Sequence, residues 1–134
     1  MAIQYSLGHR TNAMSTLNTD IGASAVIKVF TGSAPANCGT ADSGTLLVTF
    51  AGNAGGFGAA ASQVLTASAV ASATASGTGT AGYFRIYPNA ATTTNAVVQG
   101  TCGLSAADMI LTNTNIASGQ TCNFTSLTVT AFGV

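Results

Sequence analysis

GYFRIYP, residues 82–88, alternates in side-chain character more cleanly than any other stretch of this chain. Extended, it sets Tyr83, Arg85 and Tyr87 on one face and Phe84 and Ile86 on the other. That period of two predicts a strand. Outward from it, AVIKVFT (25–31) and TLLVTF (45–50) are short β-branched runs, apolar on both faces except at Lys28. Two-sided apolar character predicts a strand buried on both sides, and 25–31 is expected to be central.

The remaining segments keep the same cadence. Gly, Ser, Thr, Asn and Asp punctuate the chain about every ten residues, as short strands joined by turns require. VLTASAVASATAS (64–76) predicts one or two strands, NAVVQGTCG (95–103) another, and DMILTNTNI (108–116) a further short one. In QTCNFTSLTVTAFGV (120–134) the apolar phase runs Cys122, Phe124, then shifts to Leu127, Val129 and Ala131. A one-residue shift predicts a β-bulge, or a corner where the strand changes sheets. Only HRTNAMSTLNTDI (9–21) has helical spacing, with Ala13, Met14, Leu17 and Ile21 on one side and Gly22 as a stop. The expected fold is therefore all-β: an antiparallel β-sandwich with one short N-terminal helix. Residues 1–8 are expected to form an N-terminal arm, and 9–134 one domain.

Charge narrows the function. The formal charges are Arg10, Lys28, Arg85, Asp20, Asp42 and Asp108, only 4% of 134 residues, with net charge zero. An average domain carries roughly a quarter. Three cations cannot supply the many phosphate contacts that nucleic-acid binding needs, and a binding role at acidic membranes fails for the same reason. The longest stretch free of charge and glycine, 59–75, is interrupted by Ser, Thr and Gln, so no membrane span is expected. MAIQYSLGHR has neither a basic n-region nor an apolar h-region, so synthesis in a cytosol is expected. Sparse charge suits a surface covered by other protein.

No enzyme chemistry assembles. Asp20, Asp42 and Asp108 each sit in a turn-like setting, where Asp caps backbone N–H groups. His9 is the sole histidine, no GxSxG occurs, and GNAGGFG and SGTGTAG lack the GK[ST] ending of a phosphate loop. Cys38, Cys102 and Cys122 form no metal-ligand set; they read as small buried thiols, with one disulfide, Cys102–Cys122, as the alternative. No cofactor and no metal are expected. Phe57, in the glycine-rich 51–62, reads either as a plug on the domain's own core or as an anchor for a neighbouring subunit. The expected protein-interface residues are Ile3, Tyr5, Leu7, Phe57, Tyr83, Arg85 and Tyr87, since aromatic and Arg anchors dominate interfaces.

A resemblance adds to this. IKVFTGSAPA (27–36), GTLLVTF (44–50), GGFGAAAS (55–62), SGTGTAGYFRIY (76–87), VVQGTCG (97–103) and NTNIASGQTCNFTSLTVT (113–130) resemble a group of small tailed-phage virion proteins encoded beside the major capsid protein. The chain departs from that pattern in having NAATTTN (89–95) after the FR strand. The resemblance implies a jelly-roll-like β-sandwich and a head decoration (cement) protein. Such a protein would bridge major capsid protein subunits on the virion surface, as a dimer or trimer, after synthesis in the bacterial host cytoplasm. The alternative is a tail-tip or fibre module binding a host glycan through Tyr83, Tyr87, Asp42 and Asn89.

Overall fold

Gly79–Tyr87, the strand that holds GYFRIY, is the spine of the molecule and pairs with three other strands. The structure, a computed structural model, describes residues 3–51, 57, 59–67, 72–89, 92 and 94–131. In chain order the elements are α1 (Leu7–Ile21), β1 (Val26–Thr31), β2 (Leu46–Ala51), β3 (Val64–Thr66), β4 (Ala73–Thr74), β5 (Gly79–Tyr87), β6 (Val98–Gly103), β7 (Met109–Leu111), β8 (Asn115–Ile116), β9 (Thr121–Cys122) and β10 (Phe124–Thr130). The chain is mostly β with one short helix. A curled sheet runs β2-β1-β5-β6-β7-β10-β3, with β8 also on β5, and β4 and β9 form a separate pair.

α1 begins at Leu7, before the expected residue 9, because the Ser6 hydroxyl accepts a hydrogen bond from the His9 N–H at 3.2 Å. That is N-capping geometry, and it takes Leu7 out of the expected arm. Met14 and Ile21 are buried and Leu17 is half-buried against the core, one stripe at helical spacing. Gly22 ends the helix at φ 72°, donating its N–H to Asn18 O.

Register explains why β1 is buried on both faces. Phe50, Ile27, Ile86 and Val98 align across four strands, as do Val48, Val29, Phe84 and Gly100. These rows face the main core, which also takes Leu47, Leu65, Met109, Leu111, Leu127 and Phe57. The opposite face carries the row Thr49–Lys28–Arg85–Gln99. In an ordinary two-layer fold that face would meet solvent. Here residues 32–45 lie over it.

The expected antiparallel order fails at one pair. β6 and β7 run parallel, Cys102 beside Met109 and Gly103 beside Ile110. Parallel neighbours usually need a crossover of a dozen residues or more. This chain instead sidesteps by one strand within residues 104–108. Ala106 takes φ 51°, and a Cβ on Gly103 would sit 3.1 Å from Ala107 Cβ. The Asp108 carboxylate accepts from Thr101 N at 2.8 Å and Thr101 Oγ1 at 2.9 Å, holding the loop in place.

The phase shift in the last segment appears in both expected forms. Thr121–Cys122 pairs with β4, Phe124–Thr130 with β7 and β3, and the β7 register shifts between Phe124 and Ser126. The expected strands at 64–76 are β3 and β4; residues 68–71 between them lie outside the described residues.

Candidate functional site

The most concentrated polar chemistry is built around Arg85, which is 0% exposed. An unpaired buried guanidinium would be prohibitively costly, so its partners decide whether the strand can exist. Nη1 donates to Thr40 O at 2.7 Å, to Asp42 Oδ1 at 3.1 Å and to the Tyr87 hydroxyl at 3.2 Å. Nη2 donates to Asn37 O at 2.9 Å and to Gln99 Oε1 at 2.8 Å, and Nε reaches the same Gln99 oxygen at 3.1 Å. The Gln99 amide in turn donates to Pro35 O at 2.8 Å. Arg85 thus fastens loop 32–45 at Asn37, Thr40 and Asp42, and Gln99 adds a fourth tie at Pro35.

Neighbouring residues complete the cover. The Tyr87 hydroxyl donates to Asp42 Oδ1. The Tyr83 hydroxyl donates to Ser43 O at 2.6 Å and accepts from Ser43 N at 3.0 Å, while its ring stacks on Phe30 with centroids 5.1 Å apart. Asn37 Oδ1 accepts from Gly39 N and Thr40 N, curling the loop so that its carbonyls point inward. Val26, Tyr87 and Ala96 form a second small core, with Cys38 packed on it.

Lys28 stands directly opposite Arg85, a like-charge pairing that would be destabilising if bare. Its ammonium is separated by Tyr87: Nζ lies 4.9 Å from that ring's centroid and donates to Thr92 O at 2.9 Å.

The electrostatics are those of a fastener. Burial lowers the Arg85 pKa, but hydrogen bonds from Tyr87 and Asp42 outweigh it and hold it above its ordinary value. Burial, then the bond to Asp42, pushes Tyr87 up to about 12, so its phenol stays protonated. The acid of the cluster is thus engaged by both. The described residues hold no group of three or more metal-ligating side chains.

The expected interface residues therefore separate. Tyr83, Arg85 and Tyr87, expected as surface anchors, are each 0% exposed and face loop 32–45. The alternation that marked them was real, but a distant loop turned that face inward. Phe57 is buried, bridged to Ala67, in agreement with the core-plug reading. Of the residues expected to serve a glycan, Tyr83 and Tyr87 are buried and Asp42 is bonded to Arg85 and Tyr87, while Asn89 is exposed. Cys38, Cys102 and Cys122 are free thiols; burial and then Asp108 push Cys102 up to about 12, and burial raises Cys122.

Ile3, Tyr5 and Leu7 remain exposed, at 80%, 39% and 53%. Tyr5 stacks on His9 with centroids 5.4 Å apart, so the segment is apolar and partly organised where it leaves the helix. Leu104 joins the exposed large apolar residues at 60%, a position the sequence reading did not mark. A second feature absent from the sequence reading is a cleft of about 360 Å³ lined by Phe84, Val98, Gln99, Asp108, Val129 and Thr130 among others. Its signal was non-local, since β6 and β10 supply opposite walls.

Comparison of the chain with family models, with curated proteins and with solved structures gives no match.

Proposed function

We propose that this chain is a structural assembly protein of a tailed-phage head, a decoration protein bridging major capsid protein subunits on a virion surface. The observation that carries this is the exposed apolar run Ile3, Tyr5 and Leu7 on a chain with almost no surface charge. Large apolar side chains projecting together at one end mark an interaction site more than a solvent face. The sequence resemblance supplies the virion context, and a curled β-rich body is compatible with the jelly-roll-like sandwich it implies. Such a protein works by adding buried contact across subunit boundaries, with avidity from repeated attachment.

The inward placement of Tyr83, Arg85 and Tyr87 shifts the expected docking energy to the N-terminal segment and Leu104. Few charges make the attachment apolar and hydrogen-bonded, hence weakly salt-dependent. The test is a cryo-EM map of particles of the phage encoding this chain, with head-binding assays of purified protein. Density for the chain at many equivalent positions on the outer head is the expected result. Replacing Ile3, Tyr5 and Leu7 together with Ser should weaken head binding at least about thirtyfold, as loss of a hot spot does. Confinement of the chain to the tail, or unchanged head binding by the triple variant, would overturn it.

A further inference from the structure

β7 is three residues long, while the strands on either side of it continue. Beyond Met109 the chain veers into loop 104–108. Among the described residues no strand fills the position between Val98–Gly100 of β6 and Thr128–Thr130 of β10, and the cleft lies there. Two strands flanking one vacant position stand roughly 9–10 Å apart, the width of one inserted strand.

The backbone on both walls is aimed into this gap. Ala67 N donates to Leu127 O, and Ala131 N donates to Gln63 O, so alternate residues of β10 point their backbone groups at β3. Thr128 and Thr130 therefore direct theirs to the opposite side, into the slot. On β6, which begins at Val98, the Thr101 N–H bonds Asp108 on the side away from β5, so Gln99, two residues before it in the strand, presents its backbone to the slot.

The side-chain lining is two-faced. Phe84, Val98 and Val129 line the core side, and the Phe84 ring closes over Gly100, where a Cβ would lie 2.8 Å from it. Gln99, Thr128 and Thr130 line the outer side. A strand seated here must read apolar–polar–apolar and be uncharged, since the one carboxylate nearby, Asp108, is already bonded to Thr101.

Ile3–Gln4–Tyr5 has that pattern, and all three residues are exposed, just before an extended Ser6 at φ −61°, ψ 153°. We propose that the slot between β6 and β10 receives residues 3–5 of a second copy of this chain as an added strand. Ile3 and Tyr5 then face Phe84, Val98 and Val129, and Gln4 faces Gln99 and the threonines. This inference rests on the reading of the N-terminal segment as the docking element, and makes a second copy its receptor.

Mixing two single variants of the full chain, Gln4→Cys and Thr128→Cys, under mild oxidation tests it. Both positions are exposed and fall on the polar side, where cross-strand neighbours come within disulfide reach. A dimer forming in the mixture and in neither variant alone, where Cys38, Cys102 and Cys122 serve as internal controls, is the expected result. Thr130→Pro removes one slot-facing N–H while sparing the β3 pairing, and Thr130→Lys puts a charge at the rim. Each should weaken self-association by about tenfold in sedimentation, with unchanged circular dichroism. No mixed dimer, an intrachain cross-link in the Gln4→Cys/Thr128→Cys double variant, or full self-association by Thr130→Lys overturns the proposal. Heads that still bind through residues 3–7 without a mixed cross-link would leave the decoration role standing; a cross-link without head binding would keep the slot and remove the head.

Discussion

The four strands β2, β1, β5 and β6 have two buried faces held by different physics. On one, Ile27, Val29, Phe84 and Ile86 meet the main core, and contact with other apolar groups is all they need. On the other, Arg85, Gln99 and Tyr87 are covered by loop 32–45 and Lys28 is bonded to Thr92, and each polar atom needs a named partner. The apolar face tolerates exchange of one shape for another of similar volume. The polar face tolerates little, because removing one partner strands several others.

The largest expected effect tests that contrast directly. Arg85→Ala should cost about 3–5 kcal/mol in denaturant unfolding, the range for breaking a buried charged cluster. Phe84→Ala should cost a similar amount by leaving a cavity. The two differ in rescue. Phe84→Leu should recover much of the loss, whereas Arg85→Met should not, because Thr40 O, Asn37 O and Gln99 Oε1 lose their donor. An Arg85→Met protein as stable as the parent would break the comparison, showing that apolar contact alone holds the loop. Proteolysis within residues 32–45 of the Arg85 variants reports whether the loop has lifted.

A smaller loss should come at alkaline pH. Tyr87 has its pKa raised in the fold from 10.0 to about 12, so the folded state keeps a proton that the unfolded state gives up. Its contribution is complete below pH 10 and lost as pH rises toward 12, up to about 3 kcal/mol. Cys102, raised from 9.0 to about 12, starts the decline nearer pH 9. Unfolding measured from pH 8 to 12 should show it, and Cys102→Ala should move the onset upward by about one pH unit. Stability flat across that range would mean that neither group is held as the structure places it.

Close approach sets the next effect. A Cβ at Gly100 would meet the Phe84 ring at 2.8 Å and Asp108 Oδ2 at 2.9 Å. Gly100→Ala should cost about 1–3 kcal/mol of stability. A neutral result would mean that the 104–108 loop can shift without cost. Smallest of all, Ile3→Ser should change monomer stability by no more than about 0.5 kcal/mol, since that side chain is exposed. Any effect it has on assembly is then an effect on binding.

Much of the strand plan was legible because its signals are local. Period-two runs, Gly/Asn/Ser punctuation, the Gly22 stop and the phase shift after Phe124 each reside within a few residues. The buried character of β1 was legible for the same reason, since both its faces are apolar apart from Lys28. The sequence could not show which face of GYFRIY would be covered. Arg85 meets partners at Asn37, Thr40 and Asp42, more than forty positions away, and nothing local distinguishes such an arginine from a surface anchor. The parallel β6–β7 pair was hidden likewise, because it depends on a five-residue sidestep held by Asp108 and Thr101 rather than on a recognisable crossover.

By itself, then, the sequence determined a β-rich chain with one short helix and only six formal charges, because composition and short-range periodicity carry that information. Only the tertiary structure decided that the tyrosine–arginine face lies inside, that Ile3, Tyr5 and Leu7 are left outside, and that β7 stops short of its neighbours. Those outcomes rest on pairings between distant segments, whose burial no single stretch can encode.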